Sequence, residues 1–177
     1  MVGRWSRLAG LAAAFIVLVV PAANAGDPRE ALSASSSLQR TLLQQVNALR
    51  ARHGLPRLRP ATGLGEAAGA HSTQMARLGY FSHDSANGAS FSARIASYYR
   101  LRGYHRWAVG ENLLWASPDI GASRALKLWL ASPPHRANLL SRSWREIGLG
   151  AIHASSAPGV YHDAQATIIT VDFGARS

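Results

Sequence analysis

The stretch Trp129-Leu130-Ala131-Ser132-Pro133-Pro134-His135-Arg136-Ala137-Asn138-Leu139-Leu140-Ser141-Arg142-Ser143-Trp144-Arg145-Glu146-Ile147-Gly148-Leu149-Gly150 decides the fold class, because the period of its apolar residues changes within it. Upstream, Ser117-Pro118-Asp119 reads as a helix start and the helical pattern runs from Ile120 to Ala131. Ser132-Pro133-Pro134 breaks that helix. Downstream, Ile147, Leu149 and Ile152 lie in a β-like stretch, with Gly148 and Gly150 where side chains would otherwise crowd. A loop at Ser155–Gly159 then leads to Ala166–Phe173, rich in Thr, Ile and Val, and the two segments read as an antiparallel pair.

Toward the N-terminus the helical period returns. Leu42, Leu43, Val46 and Leu49 recur at three- and four-residue spacing, which predicts an amphipathic helix from Leu38 to about His53-Gly54. A second helix is expected from Thr62, as its cap, through Leu64, Ala67, Ala68, His71, Met75 and Leu78, ending at Gly79. A short third helix is expected over Ser90–Tyr99, with Phe91, Ile95 and Tyr98 inward. Gly110–Trp115 reads as a strand or strand-like edge. Helices first and strands last, with short connections, make an α+β domain and not a parallel βαβ array.

The chain has 177 residues, a formal net charge of +10 and no cysteine. Arg4 and Arg7 precede the apolar run Leu8–Val20, and Ala23-Asn24-Ala25 follows as a cleavage site. That order is a secretory signal, residues 1–25, and the run falls short of the ~20 residues a membrane span needs. The expected product is exported to the periplasm or the medium without a transmembrane anchor. It has a flexible lead-in at 26–37 and one domain at 38–177. It is expected to be a monomer and, lacking cysteine, to rely on packing alone. Two basic residues and no acid leave with the signal, so the mature balance is 10 − 2 = +8. No compact basic run, helix-turn-helix or zinc-finger pattern accompanies this charge, and nucleic acid is not an expected partner.

Seven histidines accompany a single lysine, Lys127. His53 reads as a helix-end residue, His153 and His162 as loop residues, and His71 as a core histidine with both nitrogens satisfied. His83, Glu111 and His135 differ, since each sits among turn-forming or aromatic residues outside the helical stripes. Two imidazoles and a carboxylate suit an open site for zinc or another divalent cation, an acid–base group in a cleft, or a structural network.

Phe81-Ser82-His83, Gly110-Glu111-Asn112-Leu113, the Trp129–Leu140 segment and Glu146-Ile147-Gly148-Leu149-Gly150 occur in that order, with Asn47-x-x-Arg50 before them and Val171-Asp172-Phe173-Gly174 after. This ordered set resembles the CAP superfamily (cysteine-rich secretory proteins, antigen 5 and plant pathogenesis-related proteins) in a bacterial, cysteine-free branch. The resemblance covers roughly residues 40–174. It implies an α-β-α sandwich, a small central antiparallel sheet flanked by helices, with a large surface cleft.

Family members typically place two histidines and two glutamates in that cleft. His83 and His135 match the histidines and Glu111 matches the first glutamate, while Ser132 stands where the second would be. A binding cleft of His83, Glu111, Ser132 and His135 is therefore expected, with His83 and His135 as candidate metal ligands and lower cation affinity for want of the second carboxylate. The expected function is a binding module for a lipid or other small hydrophobic ligand, a peptide or a cell-envelope component. The alternatives are a zinc-dependent hydrolase of peptide or cell-wall substrate with Glu111 as general base, and a glycosidase pairing Glu111 with Asp84. Tyr80, Phe81, Trp115 and Trp129 are candidates to line the cleft.

Overall fold

A computed structural model describes residues 28–177 of the chain. In chain order it contains α1 (Pro28–Arg52), β1 (Arg59–Pro60), α2 (Thr62–Leu78), α3 (Phe91–Tyr98), β2 (Trp107–Ala116), α4 (Ala122–Ala131), α5 (Pro133–Leu140), β3 (Glu146–Ala157), a 3₁₀ turn (Gly159–Tyr161) and β4 (Ala164–Arg176). The signal segment expected at residues 1–25 lies outside the described residues. Among those described, no helix is long and apolar enough to cross a membrane.

The strands form one sheet in the order β1-β3-β4-β2. β4 is central and antiparallel to both long neighbours, pairing Glu111 with Asp172 on one side and Gly148 with Asp172 on the other. β1, which the sequence pattern did not reveal, adds two residues parallel to β3 at the edge. Side chains alternate across β4 and so separate the layers. Ile169, Val171 and Phe173 join a core with Leu42, Val46, Trp129 and Leu139 from α1, α4 and α5. Ile168 joins Met75 of α2, Leu113 of β2 and Tyr161 on the opposite side. The result is the expected α-β-α sandwich.

Two glycines let α2 approach β3. A Cβ at Gly148 would lie 2.1 Å from the Leu64 carbonyl carbon, and one at Gly150 would lie 2.3 Å from that of Ala68. Gly79 closes α2 in the left-handed conformation at φ 71°.

The helix boundaries differ from the sequence pattern in instructive ways. α1 reaches back to Pro28, across most of the expected flexible lead-in, where Ala31, Leu32 and Ala34 are strong helix formers. Thr62 is the first helical residue and Ala61 the N-cap, with no side-chain cap. In α3, Ser90 caps by accepting from the Ala93 amide at 3.3 Å. Tyr98 is 40% exposed, while its neighbour Tyr99 is buried in its place. α4 begins after Gly121 and not at Ser117-Pro118-Asp119. Pro133 and Pro134 end α4 but also open α5, since the first helical turn needs no proline N–H.

Candidate functional site

The site grows around Glu111 on β2, an edge strand. Its side chain faces the α2–α3 layer, like Leu113 two residues on, while Asn112 faces α5. The carboxylate is fully buried and both oxygens are taken. His83 Nδ1–H donates to Oε1 at 2.7 Å, and Arg94 of α3 donates through Nη2 to Oε2. Arg94 Nη1 also donates to the His83 carbonyl at 2.9 Å and to Ser85 Oγ at 3.0 Å. One guanidinium thus fixes both the carboxylate and the loop that carries the histidine.

That loop has a second anchor. His71 on α2 is completely buried and its Nε2–H donates to the Ser82 carbonyl at 2.9 Å. Its Nδ1 has no partner, so only one of the two nitrogens expected to be satisfied is paired. Burial, followed by the nearby Arg94 charge, lowers the His71 pKa and keeps the ring neutral. The hydrogen bond to Glu111 raises the pKa of His83 above the ordinary histidine range, ahead of the opposing effect of its partial burial. Its side chain remains 52% exposed, with Nδ1 held by Glu111.

His135 comes from α5, which Asn112 and Asn138 pin beside Glu111. Asn112 Nδ2 donates to the His135 carbonyl at 3.0 Å. Asn138 Nδ2 donates to the Glu111 carbonyl at 3.0 Å and to Asn112 Oδ1 at 2.9 Å. Trp129 Nε1 donates to the Leu113 carbonyl at 3.0 Å and ties α4 to the same strand. The His135 ring is partly exposed, and burial followed by the charge of His83 lowers its pKa. Ser132 lies at the junction of α4 and α5, partly buried, and its hydroxyl caps neither helix.

Behind Glu111 stands a residue that reasoning on site chemistry passed over. Asp172 is its cross-strand partner and is completely buried. Neither of its oxygens meets a donor. Burial, reinforced by the Glu111 charge, pushes its pKa well above the usual carboxylate range. Burial and the neighbouring charge both favour the protonated acid at Asp172. Arg94 was likewise missed, because one arginine on a short helix carries no mark that separates it from eighteen basic neighbours in a chain with nineteen.

Among the described residues, no group of three His, Cys, Asp or Glu side chains is placed to hold a metal ion. Glu111 is committed to His83 and Arg94, which leaves His83 and His135 as the pair that could hold one. Asp84 is exposed on the loop, and the second carboxylate beside Glu111 is Asp172, sealed where no glycan reaches it. Of the aromatic candidates, Trp129 is core and Trp115 packs edge-on against Tyr161 at 5.1 Å. Phe81 is 38% exposed.

The comparisons with known proteins agree with this architecture. The Cysteine-rich secretory protein family (CAP) profile matches residues 43–173. YkwD of Bacillus subtilis is 29% identical over 124 residues, covering 70% of this chain and 46% of that protein. The membrane protein YlbC of the same organism is 29% identical over 133 residues, covering 75% and 36%. The chain thus spans less than half the length of these two relatives. An extracellular SCP-domain protein from Bacillus anthracis superposes with a TM-score of 0.66 at 26% identity, covering 85% of this chain and 44% of that one. An outer surface protein of Borrelia burgdorferi has the same fold, with a TM-score of 0.66 at 21% identity and coverage of 80% and 94%. With a family match across most of its length and the fold of these structures, the chain belongs to the CAP, or cysteine-rich secretory protein, family.

Proposed function

We propose that this chain is an exported binding module whose cleft engages a lipid, peptide or cell-envelope ligand through His83 and His135. One observation carries the reading: the Glu111 side chain is fully buried, with its carboxylate paired to His83 and Arg94. A general base must come within hydrogen-bond reach of the water it activates, and a carboxylate with no exposed surface does not. Glu111 is arranged instead to hold an imidazole in place, which supports recognition over turnover. Extracellular and surface proteins among the structural relatives are consistent with export.

Co-sedimentation with isolated cell envelope, combined with mass spectrometry of the supernatant, tests this. The exported protein should sediment, His83→Ala with His135→Ala should weaken sedimentation, and no peptide or glycan fragments should accumulate. Fragments released by the parent protein and not by Glu111→Gln would overturn the reading.

A bound divalent cation is a compatible second reading, favoured by one specific contact. A histidine that ligates a metal usually donates its other ring N–H to a carboxylate, as His83 does to Glu111. His83 and His135 would hold the ion, with water completing the shell. Calorimetric titration with zinc tests it. Glu111→Gln should weaken binding by about 10–100-fold if the carboxylate orients the ligand. No heat of binding in the parent protein would remove the cation from the account.

A further inference from the structure

Arginines dispersed along the chain are brought together at one end of the sheet. Arg59 of β1 lies opposite Glu146 of β3, and Arg176 of β4 lies opposite Trp107 of β2. The Arg59 amide donates to the Arg145 carbonyl at 3.0 Å, and the Arg106 amide donates to the Ser177 carbonyl at 2.8 Å. The Arg176 guanidinium reaches back to the Arg100 carbonyl at 2.9 Å, which draws the α3–β2 loop onto the same end.

Only one of these arginines is neutralised. Arg176 forms a two-pronged pair with Glu146 at 3.0 and 3.1 Å and stacks over Tyr99 at 4.2 Å. Among the described residues, Arg59, Arg100, Arg102, Arg106 and Arg145 have no carboxylate partner. All five are exposed. Two open cavities flank Arg176, one of about 330 Å³ bordered by Arg100 and Arg102 and one of about 400 Å³ bordered by Arg106, Trp107 and Arg145.

The loop between α3 and β2 adds apolar groups to this charge. Its sequence is Arg100-Leu101-Arg102-Gly103-Tyr104-His105-Arg106. Leu101 is 37% exposed and Tyr104 is 47% exposed. The Tyr104 amide closes a turn on the Leu101 carbonyl at 3.0 Å. Arg102 is held there at φ 48°, a left-handed conformation that arginine rarely adopts. A soluble polyanion such as polyphosphate needs only the charge. An exposed leucine and a half-exposed tyrosine, its ring 5.2 Å from the Arg176 guanidinium, beside arginines without carboxylate partners match the boundary between acyl chains and anionic headgroups.

We propose that this end of the sheet docks on an anionic phospholipid surface, with Leu101 and Tyr104 entering the headgroup layer and the unpaired arginines contacting lipid phosphates. The surface is separate from the His83 cleft, and the proposal stands independently of the cleft reading.

Vesicle flotation of the exported protein tests it, with equimolar phosphatidylglycerol and phosphatidylcholine against pure phosphatidylcholine. Binding is expected to the mixed vesicles alone and to fall as salt is raised. At about fivefold per arginine, the R100Q/R102Q variant should bind about 30-fold more weakly. The L101S/Y104S variant keeps every charge and should also weaken binding, and R124Q on α4 should not. Matching thermal melts confirm that the variants are folded. The proposal is overturned by equal binding to both vesicle types, by binding to neither, or by flotation that both loop variants leave intact. It is also overturned if soluble polyphosphate binds with the same arginine dependence while the mixed vesicles do not bind.

Discussion

Replacing Arg94 by methionine removes the guanidinium that faces Glu111 while keeping the length and apolar stem of the side chain. In the folded chain Arg94 is 8% exposed and the Glu111 side chain is fully buried, so no water replaces the lost partner. Breaking a buried ion pair from one side costs about 3–5 kcal/mol, because the remaining charge is left uncompensated. His83 still donates to the carboxylate, which places the expected loss near the lower end, about 3 kcal/mol. For a domain of this size that lowers the melting temperature by about 6–12 °C. The double variant R94M/E111M removes both charges and should recover more than half of the loss. Thermal and urea denaturation of the parent, both single variants and the double variant close the cycle. Stability of R94M within about 1 kcal/mol of the parent would refute the reasoning, as would a double variant that loses the sum of the two single losses.

Other outcomes follow from the same contacts. The folded-state pKa of His83 lies above the unfolded value of ~6.5. The stability it contributes is therefore fully present below about pH 6.5 and is lost as pH rises through the folded-state value. In chelated buffer, NMR titration of the His83 ring should give a midpoint above that of a free histidine, and Glu111→Gln should bring it down. An unchanged midpoint would show that Glu111 does not hold the ring. The midpoint of His135 should lie below the ordinary value, chiefly through its burial. Gly148→Ala places a methyl group into the α2 backbone and should lower stability by about 3 kcal/mol in urea denaturation, with Gly150→Ala similar. Ser132→Glu restores a second carboxylate beside His135 and should tighten zinc binding in calorimetry; unchanged affinity would place Ser132 outside the site.

The fold was largely legible because its signals are repetitive. Leu42, Val46 and Leu49 share one face of α1, and the glycines at 148 and 150 mark where a helix presses on a strand. The two prolines at 133 and 134 were half legible, since a residue that ends one helix suits the first turn of the next. β1 was hidden because two residues carry no period. At the site, His83 pairs with Glu111, and Asn112 holds the His135 carbonyl. Arg94 and the acidity of Asp172 were not legible, because each depends on what the fold places beside Glu111. The basic end escaped notice for the same reason, its arginines being separated in sequence by up to 117 positions, from Arg59 to Arg176.

We propose that Glu111 orients His83 and does not act on substrate. Product analysis of isolated envelope after prolonged incubation with zinc-supplemented parent protein and with Glu111→Gln tests it most directly. The same background of released material is expected from both. Release by the parent that is lost in Glu111→Gln, with the variant folded, would contradict it.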